Sequence, residues 1–160
     1  MSFNEISVRI GEIKLASEEQ NIKAILGSCV GIAIIWKNRN IKILAHCLLP
    51  YSNEQTFSLS HMPGKYVSTA IPTMLKMLNI PDKNFDELEV HIAGGANMLG
   101  QLSRINRDQI GQQNTTAAIH YLTKYGLIIN NSEIGGMQGR QIYIHNNGLV
   151  KISTFKNLLE

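Results

Sequence analysis

The chain's patterning predicts an α/β fold: a single-domain layered sandwich in which a mostly antiparallel or mixed β-sheet carries two main helices. Short runs of alternating or continuous apolar residues outnumber helical ones. Consecutive runs are separated by turn residues, as in hairpins. Two longer segments instead repeat apolar residues at helical spacing, so each can lay one face on a sheet. At 160 residues, the expected organisation is one domain over residues 1–160 with one continuous core.

Taken in order, Ile6, Val8 and Ile10 alternate with polar residues and predict a half-buried strand ending at Gly11, followed by a polar connection over 18–21. From Ala24 the chain is apolar, broken by Gly27-Ser28 and resuming from Val30 to Trp36, as in a strand entered through a tight turn. Lys37-Asn38-Arg39-Asn40 separates it from a second run, Ile41 to Leu49, which Pro50 closes. Val67, Ala70, Ile71, Met74, Leu75 and Leu78 fall on one helical face, with Pro72 predicting a kink. Leu88 to Ala93 alternates as a strand ending at Gly94-Gly95. Asn114 is expected to cap a second helix, Thr115 to Tyr125, stopped by Gly126. Three strands follow, 127–132, 140–145 and 149–154, the last two joined by Asn147-Gly148, the strongest short-range hairpin signal.

Composition narrows the function. Fifteen Lys and Arg against twelve Asp and Glu leave a net charge of +3, and the basic residues stand singly, as at Lys14, Lys42, Lys76 and Lys151. No basic cluster marks a nucleic-acid or anionic-lipid surface. The longest apolar stretch, Cys29 to Trp36, falls far short of the ~20 residues of a membrane span, so no membrane insertion is expected. The first nine residues lack a secretory pattern, and a cytoplasmic location with reduced thiols is the expectation.

Cys29 and Cys47 must then be weighed singly. Gly27-Ser28 allow a sharp turn that would leave the Cys29 sulfur exposed at a strand entrance, and the backbone N–H groups of such a turn can stabilise an oxyanion. A thiol needs a base to become a nucleophile at neutral pH. His46 lies on the next strand, where alternation places Leu44, His46 and Leu48 on one face and Ile43, Ala45, Cys47 and Leu49 on the other. By residue type alone, Cys29 reads more readily as a small buried hydrophobe and His46 as a hydrogen-bonded core histidine, since free cysteine is among the most buried residue types. Cys29, His46, Cys47 and His61 fit no closed zinc pattern, so no metal is expected. Gly94-Gly95-Ala96-Asn97 lacks a phosphate-loop lysine and a G-x-G-x-x-G, and is expected to be a tight turn. His91, His120 and His145 show no acidic or thiol partner in sequence and are expected to be structural or solvated.

The order of motifs resolves the open choice. Leu26-Gly27-Ser28-Cys29-Val30, Ala45-His46 with Leu49-Pro50, Gly64-Lys65-Tyr66 leading into Thr69-Ala70, Ala93 through Met98, Ile110-Gly111 with Asn114, and Gly135-Gly136 with Gly139-Arg140 follow one another along nearly the whole chain. In that order they resemble the CheD family of chemoreceptor glutamine deamidases. The resemblance implies a hydrolase that converts receptor glutamine to glutamate and releases ammonia, with Cys29 as nucleophile, His46 as base and no cofactor. It also implies methyl-accepting chemotaxis receptors as substrates and the phosphatase CheC as a possible partner. The family's third member is a threonine six residues before the cysteine. Lys23 stands there, and its ammonium has no acceptor to offer an imidazole N–H. Ser28, Gly94 and Gly95 are expected at the oxyanion site or as its wall. Two other readings compete: a weakly catalytic or non-catalytic adaptor that binds receptor helices or CheC, and an amidase for free glutamine, for which no residue set offers capture of an amino acid's charged ends.

Overall fold

A computed structural model describes residues 4–52, 62–99 and 109–155. Among the described residues nine strands and two α-helices are arranged in three layers. The larger sheet has the order β2-β5-β4-β6-β7, from β2 (Ile13–Ala16), β5 (Ile41–Cys47), β4 (Val30–Trp36), β6 (Leu88–Gly94) and β7 (Ile129–Ile134). The smaller sheet runs β1-β3-β8-β9, from β1 (Asn4–Ser7), β3 (Gln20–Leu26), β8 (Arg140–Ile144) and β9 (Val150–Thr154). Helices α1 (Val67–Leu78) and α2 (Ile110–Lys124) cover one face of the larger sheet, burying Val30, Ile32, Ile34, Ile43, Ala45 and Cys47 among their own apolar residues. The smaller sheet covers the other face, where Ile22, Ala24, Leu26 and Ile142 meet Cys29, Ala33, Ile35 and Leu44.

This double cover explains the unbroken apolar run of β4, every residue of which is buried: a strand with both faces packed has no place for the polar half of an alternating pattern. The β4–β5 hairpin pairs Trp36 with Ile41 at its tip and Gly31 with His46 near its open end. Asn40 takes the left-handed conformation that the turn requires, at φ 47°. The parallel pair β6–β7 cannot be joined by a hairpin, and α2 supplies its crossover. Asn147-Gly148 closes the β8–β9 hairpin with Gly148 at φ 88°.

Three sequence expectations are corrected. The first strand stops at Ser7 rather than Gly11, because after Val8 the chain leaves β3 and Gly11 turns it, at φ 86°, toward β5. A separate short strand, β2, then pairs with β5. The apolar stretch from Ala24 is divided between two sheets, β3 in the smaller and β4 in the larger, and Gly27–Cys29 is the crossing between them. Asn114 is not a cap: α2 begins four residues earlier, so its side chain faces the core from inside the helix. Through Pro72, α1 continues as one element. Its first N–H groups are bonded to the chain leaving β5: Val67 N–H donates to Leu49 O at 2.9 Å and Ser68 N–H to Pro50 O at 3.1 Å.

Lys42 joins the two sheets' connections from within. It is 0% exposed, and its Nζ donates to Ser17 O at 2.6 Å and to Asn146 O at 2.9 Å, linking the β2–β3 turn to the β8–β9 hairpin. Burial lowers its pKa, with Glu18 opposing. Among the described residues no helix is long and apolar enough to cross a membrane. We expect Lys42→Ala to lower the unfolding free energy by about 3 kcal/mol, from two stranded carbonyls and a cavity. Lys42→Met, which keeps the packed stem, should cost less, and urea denaturation of the two variants checks the order.

Candidate active site

The crossing turn Gly27–Cys29 is held by main-chain bonds from a second turn. Gly95 N–H donates to Cys29 O at 2.8 Å and Ala96 N–H donates to Gly27 O at 3.0 Å. Gly94 and Gly95 have φ of 103° and 65°, and a Cβ on Gly94 would lie 2.3 Å from Cys29 O, so the two turns meet where a side chain has no room. The carbonyl of Gly94 accepts in turn from Gly135 N–H at 3.0 Å and from Arg140 Nη1 at 3.2 Å, and Asn97 N–H donates to Gly136 O at 2.8 Å. A Cβ on Gly111, near the start of α2, would lie 2.4 Å from Gly95 O. Gly27, Gly94, Gly95, Gly111, Gly135 and Gly136, scattered along the sequence, therefore converge on the backbone around Cys29, whereas Gly64 packs against Glu12 O.

Cys29 is 6% exposed, packed in the layer between the sheets rather than open at a strand entrance as expected. Burial raises its thiol pKa, and the backbone at Cys29 partly opposes that rise. Cys47 is fully buried on the helix side, on the opposite face of its strand from His46, and burial, then Cys29, raises its pKa strongly.

His46 lies on the same face of the sheet as Cys29 and is 4% exposed. Its main chain is anchored at both ends, His46 N–H donating to Glu12 O at 3.0 Å and Gly11 N–H to His46 O at 2.8 Å. Its Nδ1 lies 2.9 Å from the carbonyl oxygen of Val8. A carbonyl only accepts, so Nδ1 carries the proton and Nε2 keeps its lone pair. Burial lowers the imidazole pKa, while the Val8 carbonyl and then Glu12 oppose it. No hydrogen bond among the described residues joins the Cys29 sulfur to the ring. The ring lines a groove of about 490 Å³ together with Ser7 to Ile10 and Lys23 to Ile25.

Lys23 lines that groove without bonding to His46. Its strand buries Ile22, Ala24 and Leu26 and turns Lys23 and Ile25 outward. There Nζ pairs with Glu5 at 2.6 Å, and Glu5 also accepts from Tyr143 Oη at 2.8 Å. Lys23, then Tyr143, hold the Glu5 carboxyl below its ordinary pKa. The main chain at 23 reaches His46 indirectly, since Lys23 O accepts Val8 N–H at 2.8 Å and Val8 O accepts the ring.

The sequence reading missed Val8, whose contribution is a backbone atom with no residue signature, and the side-chain bonds of Asn114 to Ser28 O and Leu48 O, both at 3.0 Å. It also missed a partner for His91, whose Nε2 pairs with Glu89 at 2.5 Å; the period of two that puts residues 89 and 91 on one face was the available signal. His61 lies outside the described residues.

The fold and site define a layered α/β domain in which glycine turns enclose a buried cysteine, with a buried histidine on the neighbouring hairpin strand. The family described as CheD chemotactic sensory transduction matches residues 48–154, and the chain belongs to that family. A relative from Bdellovibrio bacteriovorus, named a probable chemoreceptor glutamine deamidase CheD, is 39% identical over 144 residues, covering 90% of each chain. A similarly named relative from a Ruegeria species is 36% identical over 158 residues, covering 91% of this chain and 88% of its own. One from Methanococcus maripaludis is 36% identical over 137 residues, 86% of each. The family match begins beyond His46, whereas the first two relatives' matches cover 90% and 91% of this chain, too much of it to omit the segment from Gly27 to Leu48.

We expect Gly94→Ala to destabilise the protein by about 3 kcal/mol, because it adds a clash with Cys29 O to an unfavourable φ. Gly135→Ala, at φ 81° with no heavy atom within 4 Å, should cost only the conformational part, about 1 kcal/mol. Thermal unfolding of both, read by circular dichroism, separates the two contributions.

Proposed function

We propose that this chain hydrolyses the side-chain amide of glutamine in a chemoreceptor, with Cys29 as nucleophile and His46 as general base and acid. The observation that carries the reading is the Nδ1–H bond from His46 to Val8 O, which leaves Nε2 basic on the face that also holds Cys29. The relatives' names supply the substrate class.

The thiol gives its proton to Nε2 as sulfur bonds to the carboxamide carbon, and the oxygen takes up the negative charge. The C–N bond breaks, the imidazolium gives its proton to the departing nitrogen as ammonia leaves, and a thioester remains. Water, deprotonated by Nε2, attacks the thioester carbon, and the C–S bond breaks to regenerate the thiol and leave glutamate. Gly95 N–H and Ala96 N–H are already bonded to carbonyls, so in this reading Gly94 and Gly95 form the wall and Cys29 N–H is the donor nearest the oxyanion. Ser28 contributes its backbone to the same turn. Lys23 takes no part in the chemistry by its side chain, and Val8 O orients the imidazole in place of a threonine hydroxyl.

The burial of Cys29 and its lack of a bond to His46 favour a second reading, a docking protein for receptor helices or CheC without turnover. Mass spectrometry of receptor helical fragments after incubation distinguishes the two: glutamine converted to glutamate with released ammonia supports the enzyme, and firm binding without conversion on any cognate receptor supports the docking protein.

Cys29→Ala should abolish conversion, His46→Ala should lower it by about 10²–10⁴-fold, and Cys47→Ala should largely spare it. Lys23→Thr or Lys23→Met should hold activity within about threefold, because the exposed Glu5 pair contributes little and the backbone bond to Val8 is kept; complete loss would overturn this account of position 23. The pH profile follows from the two shifts. A lowered His46 pKa keeps the base neutral to below the ordinary histidine range, and a raised Cys29 pKa keeps the thiol protonated to above the ordinary cysteine range. Activity should therefore be flat across neutral pH, falling on the acid side only below about 6.5 and on the alkaline side only above about 8.5. An acid limb above neutrality in steady-state kinetics would contradict it.

A further inference from the structure

Asn114 touches both segments that carry the proposed reacting pair. It is 0% exposed, and its Nδ2 donates to Ser28 O and to Leu48 O, each at 3.0 Å. Ser28 immediately precedes Cys29, and Leu48 lies two residues beyond His46. We propose that Asn114 is a positioning residue that sets the separation of the Cys29 turn from the His46 strand; this rests on the reading of Cys29 and His46 as nucleophile and base.

One nitrogen with two N–H groups holds both carbonyls at a fixed distance and angle, and carbonyl oxygens brought together without such a donor repel one another. The orientation of the amide is determined, since a flip would aim its oxygen at both acceptors. Its platform is rigid as well: Gly111, one helical turn earlier, lies so close to the Gly95 and Ala96 carbonyls that a Cβ there would come within 2.4 and 2.6 Å of them. α2 therefore cannot slide along the turn that binds Cys29 O. Packing does not account for an asparagine here, because an apolar residue of similar size would fill the space without burying an amide oxygen that has no partner among the described residues.

The test measures alkylation of Cys29 by iodoacetamide as a function of pH, in a Cys47→Ala background, with kcat and KM on a receptor helical fragment alongside. Asn114→Ala should shift the alkylation profile to higher pH, toward that of His46→Ala, and lower kcat by about 10–100-fold with KM changed by less than about twofold, the pattern of a displaced reacting group. Asn114→Ser, which keeps one donor, should fall between. Folded Asn114 variants with the unaltered profile and kcat would overturn the proposal. So would failure of both variants to fold, since the residue would then be a general structural anchor. If His46→Ala itself leaves the alkylation profile unchanged, the reacting pair is wrong and the positioning role falls with it.

Discussion

Strand β4 has no face open to water. Its buried side chains require helices on one side and a second sheet on the other, and the chain meets that requirement by changing sheets at Gly27–Cys29. The change is tight because Gly31 has no side chain: a Cβ there would lie 2.8 Å from Leu26 Cδ1, so the end of β3 packs directly on the start of β4. Cys29 therefore sits at a corner imposed by the layering, and His46 reaches the same corner because Gly31 is its neighbour across the hairpin.

That placement sets the electrostatics. Burial between two sheets opposes charge on either group, raising the thiol pKa and lowering the imidazole pKa, so the resting pair is neutral. In the proposed reaction the ion pair forms only as the carbon–sulfur bond does. A resting thiol of this kind is also less open to oxidation than a thiolate, since susceptibility follows thiolate character and exposure.

Much of the architecture was legible because it depends on local pattern. The continuous run of β4, the alternation that separates His46 from Cys47, the face of α1 and the Asn147-Gly148 turn each have a cause within a few residues. The sheet crossing was not legible, since a Gly-Ser turn reads the same whether the next strand joins the same sheet or another. Asn114 misled because asparagine near a helix start commonly caps it, whereas here a glycine-lined contact lets α2 begin earlier and bring the amide into the core. Lys23 has no side-chain acceptor to offer, and its ammonium pairs with Glu5 instead. The atom that meets the His46 ring is the Val8 carbonyl, which no pattern of side chains records.

The Val8 carbonyl has a consequence for how this chain can vary. A hydroxyl acceptor disappears with one codon change, but a main-chain carbonyl survives every point substitution at its own position. In the proposed mechanism position 23 is correspondingly released from supplying a particular side chain, and a lysine can occupy it so long as its own backbone keeps Val8 in place. The vulnerable changes are those of chain length between Ser7 and Gly11: an inserted or deleted residue would carry the acceptor out of register with the ring, which makes the spacing of this short segment, rather than its composition, the heritable quantity.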